Sequence, residues 1–156
     1  MPSSISGAGN QVCSIAKCSS QHGNIEYCFQ CENYPCEKYD NIDVFGSFIT
    51  YQRQKQDIEK FRELGIEIYG AGQQKKKALL SHLLDTYNDG RRKNLFCIAV
   101  NLLELEDLKN IISELDENIS NFASKEKSVY AANLFQEAAK QNNIALKLRK
   151  KKRMLH

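Results

Sequence analysis

Apolar residues along most of this chain recur at intervals of three and four, the spacing that gathers them on one face of an α-helix. The pattern sets in after Phe48: Ile58, Phe61 and Leu64 share a face, while Asp57, Glu59, Lys60, Arg62 and Glu63 occupy the other. Gly65 follows as a stop signal, so the spacing predicts a helix over 51–64. Ile66-Glu67-Ile68-Tyr69 reads as a short connector and Gly70-Ala71-Gly72 as a break in the chain. A second amphipathic run carries Leu79, Leu80, Leu83, Leu84 and Tyr87 and ends at the turn sequence Asn88-Asp89-Gly90.

Leu95, Phe96, Ile98, Ala99, Leu102 and Leu103 continue the helical spacing, although Leu95 to Val100 taken alone has the composition of a buried strand. Leu105, Leu108, Ile111, Ile112 and Leu115 form the next stripe, with acids and Lys109 opposite. A last run over 125–140 places Val129, Ala132, Phe135 and Ala139 on one face. Five helical patterns without a period-two alternation predict a mainly α fold, a helical bundle with an N-terminal cysteine-rich segment built as a metal knuckle.

That N-terminal segment departs from the helical pattern. Residues 13–36 are rich in Cys, Ser, Asn, Gln and Gly, with a turn at Gly23, and hold too few aliphatic side chains for a conventional core. Tyr34-Pro35-Cys36-Glu37-Lys38-Tyr39 reads as the start of a helix capped by Asn33 or Tyr34, which sets Cys36 at a helix N-terminus. The chain accordingly divides into a flexible N-terminus (1–10), a cysteine-rich metal-binding segment (11–40), a helical domain (41–145) and a basic tail (146–156).

Five of the six cysteines, Cys13, Cys18, Cys28, Cys31 and Cys36, lie in that segment. Thiols are kept reduced in the cytosol, so a dense cluster in a chain without an export signal reads as a metal cage before it reads as a disulfide framework. Zinc takes four thiolate or imidazole ligands in a tetrahedron, and Cys28-x2-Cys31 is a knuckle that delivers two sulfurs from one turn. Cys13 and Cys18 form one candidate second pair. Cys36 is the competing ligand, because exposed N–H groups at a helix start favour its thiolate. Five candidates remain for four places. An iron–sulfur cluster is the alternative cofactor for the same thiols, and unligated thiols or disulfides are the third reading. His22, single in a polar loop, reads as solvated more readily than as a ligand.

Cys13-Ser-Ile-Ala-Lys-Cys18, followed by Tyr27-Cys28-Phe-Gln-Cys31-Glu-Asn-Tyr-Pro35-Cys36-Glu-Lys38, resembles an uncharacterised prokaryotic cysteine-rich family, domain of unknown function 3795. Phe61-Arg62-Glu63-Leu64-Gly65-Ile66-Glu67, Tyr87-Asn88-Asp89-Gly90-Arg91-Arg92 and Phe96-Cys97 extend the resemblance to roughly Leu115. It implies a metal-binding module whose thiols act as a unit, and no established reaction. Members carry further cysteines in a Cys-Gly-rich start, whereas no cysteine precedes Cys13. This leaves either a truncated start or half of a larger cage.

The 156 residues suffice for one hydrophobic core that needs no staple, so metal would organise a part of the protein. Residues 1–10 lack the features of a signal peptide, and no apolar run approaches the roughly 20 residues that span a bilayer, which predicts a soluble cytoplasmic protein without a membrane partner. Net charge is +3, but Lys147, Arg149, Lys150, Lys151, Lys152 and Arg153 carry six positive charges, which leaves −3 on the remainder. Such a tail reads first as a solvated end and second as a contact for nucleic acid. Lys75, Lys76 and Lys77 at one helix start, with Arg91, Arg92 and Lys93 beyond its end, bracket a surface, yet Gly70-Ala71-Gly72 lacks phosphate-loop spacing.

Cys97 amid Leu95, Phe96, Ile98 and Ala99 reads as core, and His82 as a helix border residue. Tyr34, Tyr39 and Tyr51 read as shields of the cysteine cluster sooner than as base-stacking platforms. No carboxylate pair or Ser/His/Asp set offers acid–base or nucleophilic catalysis. The leading expectation is a non-enzymatic, structural zinc-binding module that engages a protein partner. An iron–sulfur or thiol redox protein and a nucleic-acid-binding protein using the basic tail are the alternatives.

Overall fold

The structure is a computed structural model that describes residues 14–46 and 49–149, and the chain divides into two compact units between Asp40 and Asn41. All its regular elements are helical; no strand occurs among the described residues, and none of the helices there is long and apolar enough to cross a membrane. The fold is mainly α, as the periodicity predicts.

The first unit holds helix α1 (Ser14–Gln21) and two single 3₁₀ turns, Cys28–Gln30 and Glu37–Tyr39. Gly23 and Asn24, both at positive φ, end α1, and the hydroxyl of Ser19 donates to the Ile25 carbonyl across this turn at 2.5 Å. The expected helix start at Tyr34-Pro35 is corrected. Cys36 itself is the cap, extended at φ −99°, and the helical geometry lasts one turn. Only Tyr39 is buried among residues 14–40. One buried side chain gives this described stretch almost no hydrophobic driving force of its own.

The second unit contains α2 (Gln54–Thr86), α3 (Lys93–Leu102), α4 (Leu105–Asn118), a 3₁₀ turn (Ile119–Asn121) and α5 (Ser124–Gln141). Within α2, Gly65 stands at φ 78°, ψ 167°, far outside helical geometry, so the predicted stop at this residue holds. The predicted connector 66–69 and the break at Gly70-Ala71-Gly72 do not: the helix resumes at once and runs to Thr86. Two interior glycines cost about 1 kcal/mol each, which the packing of Leu79, Leu80, Leu83 and Leu84 on the core exceeds. Lys75, Lys76 and Lys77 consequently sit mid-helix rather than at a helix start.

The two arms of α2, residues 54–64 and 66–86, fold back on each other. In a straight helix Arg53 and Lys76 would stand about 34 Å apart. Instead, Arg53 Nη1 donates to the Leu102 carbonyl at 2.7 Å and Lys76 Nζ to the neighbouring Leu103 carbonyl at 2.6 Å. Phe61 and Tyr69 meet with ring centroids 5.3 Å apart. The pairing of 61 with 69, and the neighbouring acceptors that bring 53 close to 76, are both centred near Gly65, the pattern of an antiparallel helical hairpin.

The core lies where the second arm packs on α3 and α4, and where these pack on α5. Leu83, Phe96, Leu103, Leu108 and Phe135 are fully buried, and Phe96 meets Phe135 edge to face at 5.8 Å. Leu95 to Val100 is helix, resolving the strand ambiguity. On α5 the expected face is shifted: Val129 is exposed, whereas Ser128, Ala131, Ala132, Phe135 and Ala139 are buried.

After α5 the chain turns at Asn143, at positive φ, and Ile144 and Leu146 pack against the core. Gln52 Nε2 donates to the carbonyls of Ala145 and Lys147, and the Gly46 amide donates to that of Arg149 at 2.7 Å. The first residues of the basic stretch are thus tied down; 150–156, like 1–13 with Cys13, lie outside the described residues.

Candidate metal centre

Cys28 and Cys31 begin and follow one 3₁₀ turn, closed by the Cys31 amide donating to the Cys28 carbonyl at 3.0 Å. Gln30 secures it, its side-chain oxygen accepting from the amides of Glu26 and Tyr27 at 3.1 and 2.9 Å. The Tyr34 amide then donates to the Cys31 carbonyl, which carries the chain round to Cys36. Cys18 approaches from α1. Cys18, Cys28, Cys31 and Cys36 line a single cavity of about 20 Å³, together with Ile15, Ser19, Ile25, Tyr34 and Lys38. That volume accommodates one body of water size.

All four thiols are free and half-buried. Tyr39 lies edge-on to Tyr34 at 5.2 Å, and its hydroxyl hydrogen-bonds Cys28. Burial first, then that bond and the neighbouring Cys28, Tyr34 and Cys36 groups, push the phenol well above its ordinary range. Tyr34 and Tyr39 therefore flank the thiols. His22 is exposed, and its Nδ1 lies 3.5 Å from the Cys18 sulfur and 2.9 Å from the Cys18 carbonyl.

The donor set suits zinc: thiolates from a knuckle plus two further sulfurs, with room for one ion. Among the described residues no three Cys, His, Asp or Glu side chains are drawn together closely enough to hold an ion as they stand. Ligation requires the sulfurs to close inward, which their half-buried, unbridged state permits.

Comparison with known proteins bears on this same stretch. Residues 3–41 match the family described as Protein of unknown function (DUF3795). The matched segment contains the five clustered cysteines and ends one residue past the division between the two units. No curated protein and no solved structure matches the chain.

Other residues singled out in the sequence have plainer settings. Cys97 is half-buried on α3, between the buried Phe96 and Ile98. His82 is a border residue with a partner that sequence did not indicate: its Nε2 lies 2.9 Å from Asp116 on α4, which also accepts from the Tyr87 hydroxyl at 2.7 Å. Burial works against the Asp116 charge, but the bonds from His82 and Tyr87 prevail and hold its pKa below the ordinary value. Of the two basic groups, Lys76 donates to the Leu103 carbonyl just past α3 and Arg92 pairs with Asp89, which also accepts from the Arg91 and Arg92 amides ahead of α3.

The sequence reading missed a second assembly of charge. Arg53 and Lys60 both pair with Glu104, the latter at 2.8 Å, across separations of 51 and 44 residues that no local motif reveals.

Proposed function

We propose that the N-terminal unit is a structural zinc knuckle in a non-catalytic module that engages a protein partner. The observation that carries this reading is that four unbridged thiols, Cys18, Cys28, Cys31 and Cys36, line one ion-sized cavity in a unit whose described residues bury a single side chain. Zinc would be held by these thiolates and would supply the cross-linking that apolar packing does not. Cys13 remains a candidate for one of the four places. In the helical unit, Val44, Phe45 and Ile49 expose apolar surface suited to a protein partner.

Metal analysis of the full chain purified without oxygen provides the test. One zinc per chain is expected, lost in the double variant Cys28→Ser, Cys31→Ser and retained in Cys97→Ser. Cys13→Ser decides whether the fifth thiol belongs to the set. Absence of both zinc and iron overturns the reading, and stoichiometric iron with a brown colour replaces zinc by an iron–sulfur cluster.

A further inference from the structure

Between the arms of the α2 hairpin lies a cavity of about 400 Å³, within the range of small-molecule sites. Its wall carries four cations, Arg53, Lys60, Lys75 and Lys76, against two carboxylates, Asp57 and Glu104. Two positive charges are therefore left uncompensated. Glu104 is already shared by Arg53 and Lys60. Lys75 is exposed and has no ion-pair partner among the described residues; the buried Arg53 Nε lies 3.9 Å from an Asp57 oxygen, an ion pair without a hydrogen bond. The remaining wall is mostly apolar: Leu64, Ile68 and Leu105 line it beside Tyr69 and the polar Gln73, with Leu64 and Ile68 40% and 63% exposed.

Half-buried like charges repel more strongly than solvated ones. Lys76 registers this: burial first and then Arg53 lower its pKa, against the opposing pull of Glu104 and Asp57. Asp57 pairs with Arg53, and burial raises its pKa despite Arg53 and Lys76. An anion entering from outside would relieve the repulsion without breaking any existing pair.

We propose that this cavity binds a small amphipathic organic anion, with its charged head among Arg53, Lys75 and Lys76 and its apolar body on Leu64, Ile68 and Leu105. A head of one or two negative charges balances the excess, and both carboxylate and phosphate supply it. The site belongs to the helical unit and is independent of the cysteine knuckle.

Isothermal titration of the full chain with octanoate, octyl phosphate and octanol tests this. Saturable one-to-one binding of at least one of the two anions is expected, and the tighter of them identifies the head. Lys76→Gln should weaken binding about tenfold and Lys75→Glu by a similar factor. Because Lys75 is exposed and unpaired, the second variant keeps the fold even if the first does not. Ile68→Asn should also weaken binding, by about three- to tenfold. Octanol binding as tightly as both anions, no saturable binding of either anion, or unchanged affinity in Lys75→Glu overturns the proposal and leaves a purely structural charge cluster.

Discussion

Replacing Gly65 by alanine tests whether one backbone position makes the α2 hairpin. Its φ of 78° with ψ of 167° falls in a region that is essentially reserved for glycine, and forcing a side chain there costs about 1–3 kcal/mol. A Cβ at this site would meet no atom within 4 Å, so the cost is backbone strain without a steric term. Gly70, five residues on, is an internal control: it is helical, a Cβ there also meets nothing within 4 Å, and Gly70→Ala should stabilise by roughly 0.5–1 kcal/mol. At roughly 2–4 °C per kcal/mol, thermal unfolding followed by circular dichroism should show the Gly65 variant melting about 2–12 °C lower and the Gly70 variant slightly higher. If Gly65→Ala raised the midpoint as Gly70→Ala does, α2 would be a straight helix and the hairpin argument would fail.

Phe135, fully buried against Phe96, should lose about 3–5 kcal/mol on substitution by alanine, whereas the exposed Val129→Ala should change stability by under about 0.5 kcal/mol; urea unfolding separates them, and equal effects would restore the face predicted from sequence. Glu104 pairs with Arg53 and Lys60. Burial works against its charge, but the hydrogen bonds from Lys60 and Arg53 outweigh it and hold the carboxyl at about 2, below its ordinary 4.5. A depressed carboxylate pKa contributes stability above the unfolded value that is lost as pH falls through the folded one. The unfolding midpoint of the parent protein should therefore drop more steeply between pH 4.5 and pH 2 than that of Glu104→Gln, by an amount that exposure of the pair to solvent keeps modest; parallel curves would remove Glu104 from the acid response.

The helices of the second unit were legible because burial there is one-sided. Leu105, Leu108, Ile111, Ile112 and Leu115 draw a stripe that only a helix can bury, and α4 follows it. The face of α5 was misread for a related reason. Val129 outweighs Ser128 on any hydrophobic scale, yet it is Ser128 that is buried and Val129 that is exposed. Gly65 announced a stop, but its consequence was hidden: Ile66 and Ile68 are exposed, so the resumed helix begins without an apolar stripe to mark it. Pairings such as Arg53 with Glu104 depend on that reversal and leave no trace in local spacing. For the cysteines, residue type and the Cys28-x2-Cys31 interval nominate a chemistry. The turn at Gly23 was legible too, but that Cys18 and Cys36 share a cavity with this pair is a tertiary fact that spacing does not carry.

Arg53 and Lys76 hold successive carbonyls, those of Leu102 and Leu103, where α3 ends. A cation at a helix C-terminus is favoured by the peptide dipoles, so each side chain steadies the last turn while it anchors its own arm. This short stretch is consequently a shared latch. Fraying of the terminal turn of α3 releases both arms together, and parting of the arms strips that turn of its donors. Amide protons of α3's final turn and of residues 54–64 should then exchange with solvent as one cooperative unit, ahead of those near Phe96 and Phe135.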